Sequence, residues 1–458
     1  MPKQFYVQAS GRLAGVIRVP GDKSISHRSV MLGALSDGTT EVSGFLEGAD
    51  AISTINVFRQ LGVEIEGPFD EGVGDAAVKG RVRVKGVGID GLKASDKPLD
   101  CGNAGTAMRL LMGLLAGQPF TSTLVGDSSL SQRPMRRVST PLGKMGASID
   151  TNDGTPPIKI NPCVGGLSAI DYNLPMASAQ VKSAILLAGL SATGVTTVTE
   201  PAPTRDHTER MLRGFGVQVD VEQAGAGKKV SIRGGQRLKA TSIDVPADVS
   251  SAAFFMVAAS IAPGSDITLA HVGINPTRTG ILDILKLMGA DITLSNHREV
   301  GGEPVADIRV RSAQLKGIHV PDALVPLAID EFPILFVAAA CAQGQTIVTG
   351  AEELRVKESD RIAMMEHGLH ALKIAATATP DGMIIEGLSA GMDQASPVFA
   401  SGTVESDGDH RIAMAFAVAA LRAQGPITIL DTDNVATSFP GFAELANKAG
   451  MRVGIAEH

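Results

Sequence analysis

Lys23 and Arg28 lie five residues apart in the segment GDKSISHR, among small hydroxyl residues, where a strand pattern turns into a helix pattern. Helix starts expose unpaired N–H groups and a partial positive charge, so bases placed there make sites for anions. GNAGTAMR repeats the design with Asn103, Gly105, Thr106 and Arg109, and Gly105 lets a ligand approach the backbone closely. Further versions are PMASAQVK, with Ser178, Ala179 and Gln180, and DGDHR, with Arg411. Arg133 in RPMRRV and Arg205 in RDHTE follow strand patterns directly, where an arginine can grip a carboxylate or phosphate through paired N–H bonds. Each segment alone reads equally well as an ordinary helix cap or a surface ion pair. Together they point to ligands that carry phosphate and carboxylate groups.

Carboxylates interleave with bases farther along. Asp330 and Glu331 open a helix pattern in IDEFP, and ELRVKESDR holds Lys357, Glu358 and Arg361. Lys357 and Arg361, four apart on an expected helix, share a face, which by itself is a solvated stripe. Glu358, next to both, is either held ionised by them or poised to exchange a proton with a ligand. His367 and His370 in EHGLH lack a third partner nearby and read as surface helix residues, so no metal site is expected. QAGAGKKV near residue 223 fails as a phosphate loop, because Glu222 stands where its first glycine should be and no Ser or Thr follows the lysine. A hairpin turn is expected there.

The elements that must position these residues repeat six times. An apolar helix-like stretch ends at Gly38, Gly117, Gly194, Gly264, Gly344 and Gly425, at spacings of 79, 77, 70, 80 and 81 residues, and each glycine opens a short Thr- and Val-rich strand pattern. Between these lie six junctions where an amphipathic helix meets a strand: LGVEI at Leu61, MGASI at Met145, FGVQV at Phe215, MGADI at Met288, LKIAA at Leu372 and AGMRV at Ala449. Glycine there supplies the left-handed helix cap, and β-branched residues favour the extended chain that follows. Five junctions have glycine and the fifth has Lys373. One unit is thus apolar helix, strand, second helix and strand pair, three units to each half of the chain, with a boundary expected around residues 236–249. Stretches such as AAFFMVAASIA from Ala252 have no polar face and must be buried on all sides, with the sheets outside them. The polar helix starts would then collect at one end of each domain, and two such ends facing each other would make a cleft.

Composition narrows the function further. The 458 residues are 44% apolar, enough for two or three domains, and the net charge of −7 disfavours a general nucleic-acid role. Cys101, Cys163 and Cys341 are widely separated, which suggests a reducing compartment and neither a disulfide framework nor a cysteine metal site. The N-terminal segment lacks a signal peptide's apolar core, and a cytoplasmic protein is expected.

These motifs together resemble the class II 5-enolpyruvylshikimate-3-phosphate synthases over essentially the whole chain. GDKS at Gly21, SAQVK at Ser178, RDHTE at Arg205 and NPTR at Asn275 match signatures of that class, and NAGTAMR, RPM, RVKESDR and DHRIAM match the wider family. The resemblance implies an α/β fold of two inside-out α/β barrel domains, each of three repeats with buried parallel helices and outer sheets. Residues 1–22 with 247–458 would form one domain and 23–246 the other, so the first residues would pack with the C-terminal half.

The implied reaction transfers the enolpyruvyl group of phosphoenolpyruvate to the 5-hydroxyl of shikimate 3-phosphate and releases phosphate through a tetrahedral ketal intermediate, with no cofactor and no metal. By resemblance, Ser24, Arg28, Ser178, Ala179, Gln180, Arg205 and Asp330 hold shikimate 3-phosphate. Lys23, Gly105, Arg133, Arg361 and Arg411 surround phosphoenolpyruvate, while Asn103, Thr106 and Lys357 complete the binding set. Lys23, Asp330 and Glu358 would move protons: Glu358 to C3 of phosphoenolpyruvate, and Asp330, through Lys23, from the 5-hydroxyl. The partners implied are these two small molecules, with no nucleic acid or membrane and a monomeric protein.

The related UDP-N-acetylglucosamine enolpyruvyl transferase is the alternative. It carries a cysteine shortly before its Arg-Pro segment, where GDSSLSQRP has none, and a Lys-Asn pair where this chain has Lys23 and Ser24. An RNA-end-processing relative would need a basic face or nucleotide motif that is not found. One departure concerns glyphosate, since several class II members carry alanine where this chain has Gly105.

Overall fold

The computed structural model describes residues 3–9, 11–71, 78–388 and 396–457. Each expected repeat forms. The apolar stretches are the helices Lys23–Leu35, Gly105–Leu115, Ala179–Gly189, Val249–Ile261, Phe332–Ala340 and His410–Ala419. They lead into strands that begin at Ser36, Ser122, Val195, Asp266, Gln345 and Ile427. Amphipathic helices follow at Ala49–Gln60, Arg136–Lys144, His207–Gly214, Gly280–Leu287, Arg361–Ala371 and Phe442–Ala449. All six junction residues take the left-handed conformation that the sequence pattern requires, including Lys373 at φ 66°, an uncommon place for a side chain with a Cβ.

The chain divides into two compact units. One comprises residues 1–20, 246–298 and 304–458, and the other 21–245 and 299–303. Described strands form six separate sheets, three in each unit, and none closes on itself. In the first five repeats the middle strand of the unit is the last in sequence, as in Thr155–Asn161 between Ser122–Val125 and Ser148–Asn152. In the sixth, that middle place is taken by Lys3–Val7 from the chain start, antiparallel to both Ile427–Leu430 and Val453–Glu457.

A fourth strand lies parallel on the outer edge of most sheets. Leu99–Asp100, Asp171–Asn173 and Gly402–Glu405 each precede a buried helix and pair with the strand after it, the crossover that parallel pairing needs. Two strands depart from this. Ala14–Ile17 leads to the helix Lys23–Leu35 yet pairs with Asp266–Gly273, and Ser242–Asp244 leads to Val249–Ile261 yet pairs with Ser36–Ser43. The chain passes from one unit to the other directly after each of these strands.

Two separate apolar cores result. All thirteen residues of Val249–Ile261 are buried, and its side chains pack with those of Phe332–Ala340 and His410–Ala419. Burial of Phe254, Phe255, Met256 and Val257 contributes roughly 1.5–3 kcal/mol each. In the other unit Gly105–Leu115 packs closely on Ala179–Gly189, because a Cβ on Gly113 would stand 2.0 Å from the Ala184 carbonyl oxygen.

Val219–Ala224 and Gly227–Arg233 pair as a hairpin at QAGAGKKV. His367 and His370 are exposed on a helix, and no cluster of metal-ligating residues occurs among the described residues. No described helix is long and apolar enough to cross a membrane. Lys357 and Arg361 do not share a helix face as expected: Asp360 accepts from the Ala363 N–H and caps the helix, which starts at Arg361, so Lys357 lies in the preceding turn. Neither Arg133 nor Arg205 follows its strand directly: the short turn Leu130–Gln132 precedes Arg133, and residues 200–204 separate Val195–Thr199 from Arg205.

Candidate active site

In the unit that holds residues 21–245, the starts of three buried helices are joined by hydrogen bonds. Asp22 caps Lys23–Leu35 by accepting from the Ile25 N–H, which leaves Lys23 at the first turn with its Nζ 3.0 Å from Asp50 Oδ2. Ser24 follows, and its carbonyl oxygen accepts from Arg28 Nη1 at 3.0 Å. Arg28 is buried and also donates from Nε to Thr208 Oγ1 at 2.8 Å and from Nη2 to Ser183 Oγ at 3.2 Å. All three acceptors are neutral oxygens. Burial lowers the Arg28 pKa to about 10, with Arg205 adding to the effect and Glu209 opposing it, so the guanidinium stays charged at neutral pH.

The second and third helix starts are tied by Gln180. Its Oε1 accepts from Arg109 Nη1 at 2.6 Å and its Nε2 donates to Thr106 Oγ1 at 2.8 Å. Because arginine only donates, this fixes which way round the amide lies. Ser178 caps the same helix through the Val181 N–H, so Ala179 is its first residue. Arg109 is another buried base with neutral partners, and burial followed by the nearby Arg137 and Arg133 charges lowers its pKa to about 10. Arg133 Nη2 donates to Asn103 Oδ1 at 2.8 Å, and Asn103 in turn donates to Asp127. A Cβ on Gly105 would lie 3.0 Å from Arg133 Nη1. Lys23, Arg28, Arg109, Arg133 and Arg205 thus occur within one unit, and Arg28 and Arg109 among them are buried bases whose hydrogen-bond partners are neutral.

The other unit brings together the remaining residues. Asp330 Oδ1 is 3.7 Å from Lys357 Nζ and 3.6 Å from Arg361 Nη1, while the Asp330 carbonyl oxygen accepts from Arg411 Nη1 at 3.1 Å. Arg361 is sealed from solvent, bonded through Nε to Asp409 Oδ2 at 2.8 Å and through Nη2 to Glu358 Oε2 at 2.6 Å. Its Nη1 has no hydrogen-bond partner. Glu358 keeps 46% of its side chain exposed. Burial of its carboxyl works against the charge, but Arg361 and Arg411 outweigh that and hold the pKa down at about 2. Glu358 is therefore held ionised by these bases. His410, buried beside Arg411, is pushed down to about 3 and is neutral.

Several structural partners are not evident in the sequence. Lys182, fully buried, lies 2.9 Å from Glu200 Oε2 and 2.7 Å from Glu209 Oε1. A lone lysine inside the apolar run VKSAILLAG was the signal for a buried ion pair. Asp409 caps its helix through the Arg411 N–H and also binds Arg361, a double use that no local pattern reveals. Ser183 and Thr208, which position Arg28, are small residues with no distinguishing neighbours in sequence.

Comparison with known proteins adds independent findings. The family model described as EPSP synthase (3-phosphoshikimate 1-carboxyvinyltransferase) matches residues 7–445. The 3-phosphoshikimate 1-carboxyvinyltransferase of Alkalilimnicola ehrlichii is 63% identical over 98% of this chain and 96% of its own length. That of Methylococcus capsulatus is 60% identical over 98% of each. The solved structure of EPSP synthase from Acinetobacter baumannii superposes with a TM-score of 0.91 at 56% identity, over 99% of this chain and all of that one.

Proposed function

Because the chain belongs to the EPSP synthase family, we infer that the two polar sets divide one reaction between them. The chain transfers the enolpyruvyl group of phosphoenolpyruvate to shikimate 3-phosphate in the route to aromatic amino acids. UDP-N-acetylglucosamine is not favoured as the acceptor.

Ser24, Arg28, Ser178, Ala179, Gln180 and Arg205 hold the acceptor and its phosphate, with Asp330 on the reacting hydroxyl. The observation that carries this assignment is Arg28, a buried guanidinium bonded to neutral oxygens, whose charge is best compensated by a bound phosphate. Lys23, Gly105, Arg133, Arg361 and Arg411 serve phosphoenolpyruvate, with Asn103, Thr106 and Lys357 completing the binding set. The unbonded Arg361 Nη1 supports its place in that set.

Attack at C2 of phosphoenolpyruvate becomes easy once C3 takes a proton and positive character grows at C2. Glu358 delivers that proton, and Asp330, through Lys23, removes the one on the 5-hydroxyl. Glu358 must first be protonated, and Arg361 opposes this in the ligand-free protein. A substrate carboxylate that engages Arg361 weakens that opposition. Loss of phosphate from the ketal, with a C3 proton removed by Glu358 as the roles reverse, then completes the reaction, the leaving charge being stabilised by bases already in place. Holding two substrates in line contributes on the order of 7–11 kcal/mol.

Three buried helices and three sheets in each unit support two inside-out α/β barrels, bounded near residues 22 and 246. Three free cysteines fit a cytoplasmic protein, and we take the working form to be a monomer. Release of inorganic phosphate from phosphoenolpyruvate that requires shikimate 3-phosphate tests the reading. Release that instead requires UDP-N-acetylglucosamine would overturn it.

A further inference from the structure

The NPTR segment and Glu331 have no role in the assignments above, yet side chains from both connect to Arg411. Arg278 of NPTR is buried and directs Nη2 to Ser250 Oγ at 2.7 Å and to Asp248 Oδ1 at 3.2 Å. A guanidinium can only donate, so Ser250 Oγ accepts from it and its one proton is left for Glu331 Oε1, its other partner. Glu331 Oε1 accepts that proton, and the same atom lies 3.8 Å from Arg411 Nη1. That Nη1 is also the atom that donates to the Asp330 carbonyl oxygen. Ser250 and Glu331 are both almost fully buried, and every residue in the line belongs to one unit. Such a line is costly to bury unless its partners are satisfied, and it runs from the buried Ser250 and Glu331 to the partly exposed Arg411.

We propose that Arg278, Ser250 and Glu331 are positioning residues that hold Arg411 in place for phosphoenolpyruvate, with the ionised Glu331 carboxylate as the holding state. The proposal rests on the reading of Arg411 as a contact of that substrate. The charged groups that face Glu331 are Arg278, Arg411 and Asp330. Burial raises its pKa against the pull of Arg278 and Arg411, and Asp330 adds to the rise, so the carboxylate takes up a proton at a pH above the ordinary glutamate range. As pH falls through that value the hold on Arg411 is lost, and phosphoenolpyruvate is used less efficiently.

Steady-state kinetics of Glu331→Gln and Ser250→Ala test this. Loss of the charged contact in Glu331→Gln should raise KM for phosphoenolpyruvate about tenfold and leave KM for shikimate 3-phosphate within about twofold. The ratio of wild-type to variant kcat/KM for phosphoenolpyruvate should shrink as pH falls. Ser250→Ala removes a hydrogen bond that favours the ionised carboxylate, so the acid limb of the same profile should move to higher pH. This smaller change carries the test if Glu331→Gln does not fold. KM values for both substrates that rise together, or an acid limb that stays in place in Ser250→Ala, would overturn the proposal. Arg411→Ala separates it from the reading beneath it. If that variant raises KM for phosphoenolpyruvate but Glu331→Gln does not, only the positioning role falls; if Arg411→Ala leaves KM unchanged, the reading of Arg411 falls as well.

Discussion

Lys182 Nζ lies 2.7 Å from Glu209 Oε1, with both side chains sealed from solvent, and this pair joins the helices that carry Ser183 and Thr208. Those two hydroxyls are the ones that Arg28 grips. The ion pair therefore braces the two hydroxyls that position Arg28. Lys182→Met should cost about 3–5 kcal/mol in urea unfolding, since Glu200 and Glu209 are left buried without their cation. The double variant Lys182→Met with Glu209→Gln should recover part of that loss, and no recovery would mean that packing, not charge, sets the cost. Burial opposes the Lys182 charge, but Glu209 and Glu200 outweigh it and raise the pKa above 10.5. A raised pKa stabilises the fold below the unfolded value, so this contribution persists at neutral pH and disappears as pH climbs through the raised one.

Glu358→Gln should cut turnover by about 10²–10⁴-fold if its carboxyl delivers the proton to C3. Binding of shikimate 3-phosphate, followed by calorimetry, should stay within about twofold of wild type, because no acceptor contact is assigned to it. Near-normal phosphate release would remove Glu358 from the chemistry.

The same residue makes a pH prediction of opposite sign to that of Lys182. Its folded pKa is held at about 2 against an ordinary 4.5, so it stabilises the fold above pH 4.5, and that stability is lost as pH falls toward 2. Its half-exposed side chain makes the effect small. Melting temperatures of wild type and Glu358→Gln should differ at pH 6 and converge toward about pH 2, within the window that the shift defines. A constant difference over that range would mean that the Arg361 contact does not set the titration.

Gly105→Ala would place a methyl group 3.0 Å from Arg133 Nη1. The space beside Gly105 is thus bounded by a guanidinium tip, which can yield by a few tenths of an ångström at the cost of its alignment with Asn103. Glyphosate, one chain atom longer than phosphoenolpyruvate between carboxyl carbon and phosphorus, should lose more affinity than the substrate does. Equal loss of both in inhibition and KM measurements would sink the steric account.

The six repeats were legible because their causes are local. A glycine cap, a β-branched run and an apolar helix announce themselves within a dozen residues, and the positive φ at Lys373 shows that position overrode residue type at the one irregular junction. The bases at helix starts were legible for the same reason. The face shared by Lys357 and Arg361 was misread, since a four-residue spacing holds only inside a helix and Asp360 begins the helix one residue before Arg361.

What the amino-acid order determined by itself was the kind of element at each place, and which helix starts carry charge, because backbone conformation and capping respond to near neighbours. Tertiary structure alone decided that Ala14–Ile17 pairs with a strand some 250 residues away, and that Ser242–Asp244 pairs back onto Ser36–Ser43. It alone decided that Arg361 binds Asp409 as well as Glu358, and that Lys182 pairs internally with Glu200 and Glu209. Strand edges and buried charges find partners by whatever the folded chain brings within about 3 Å, and no local spacing encodes that choice.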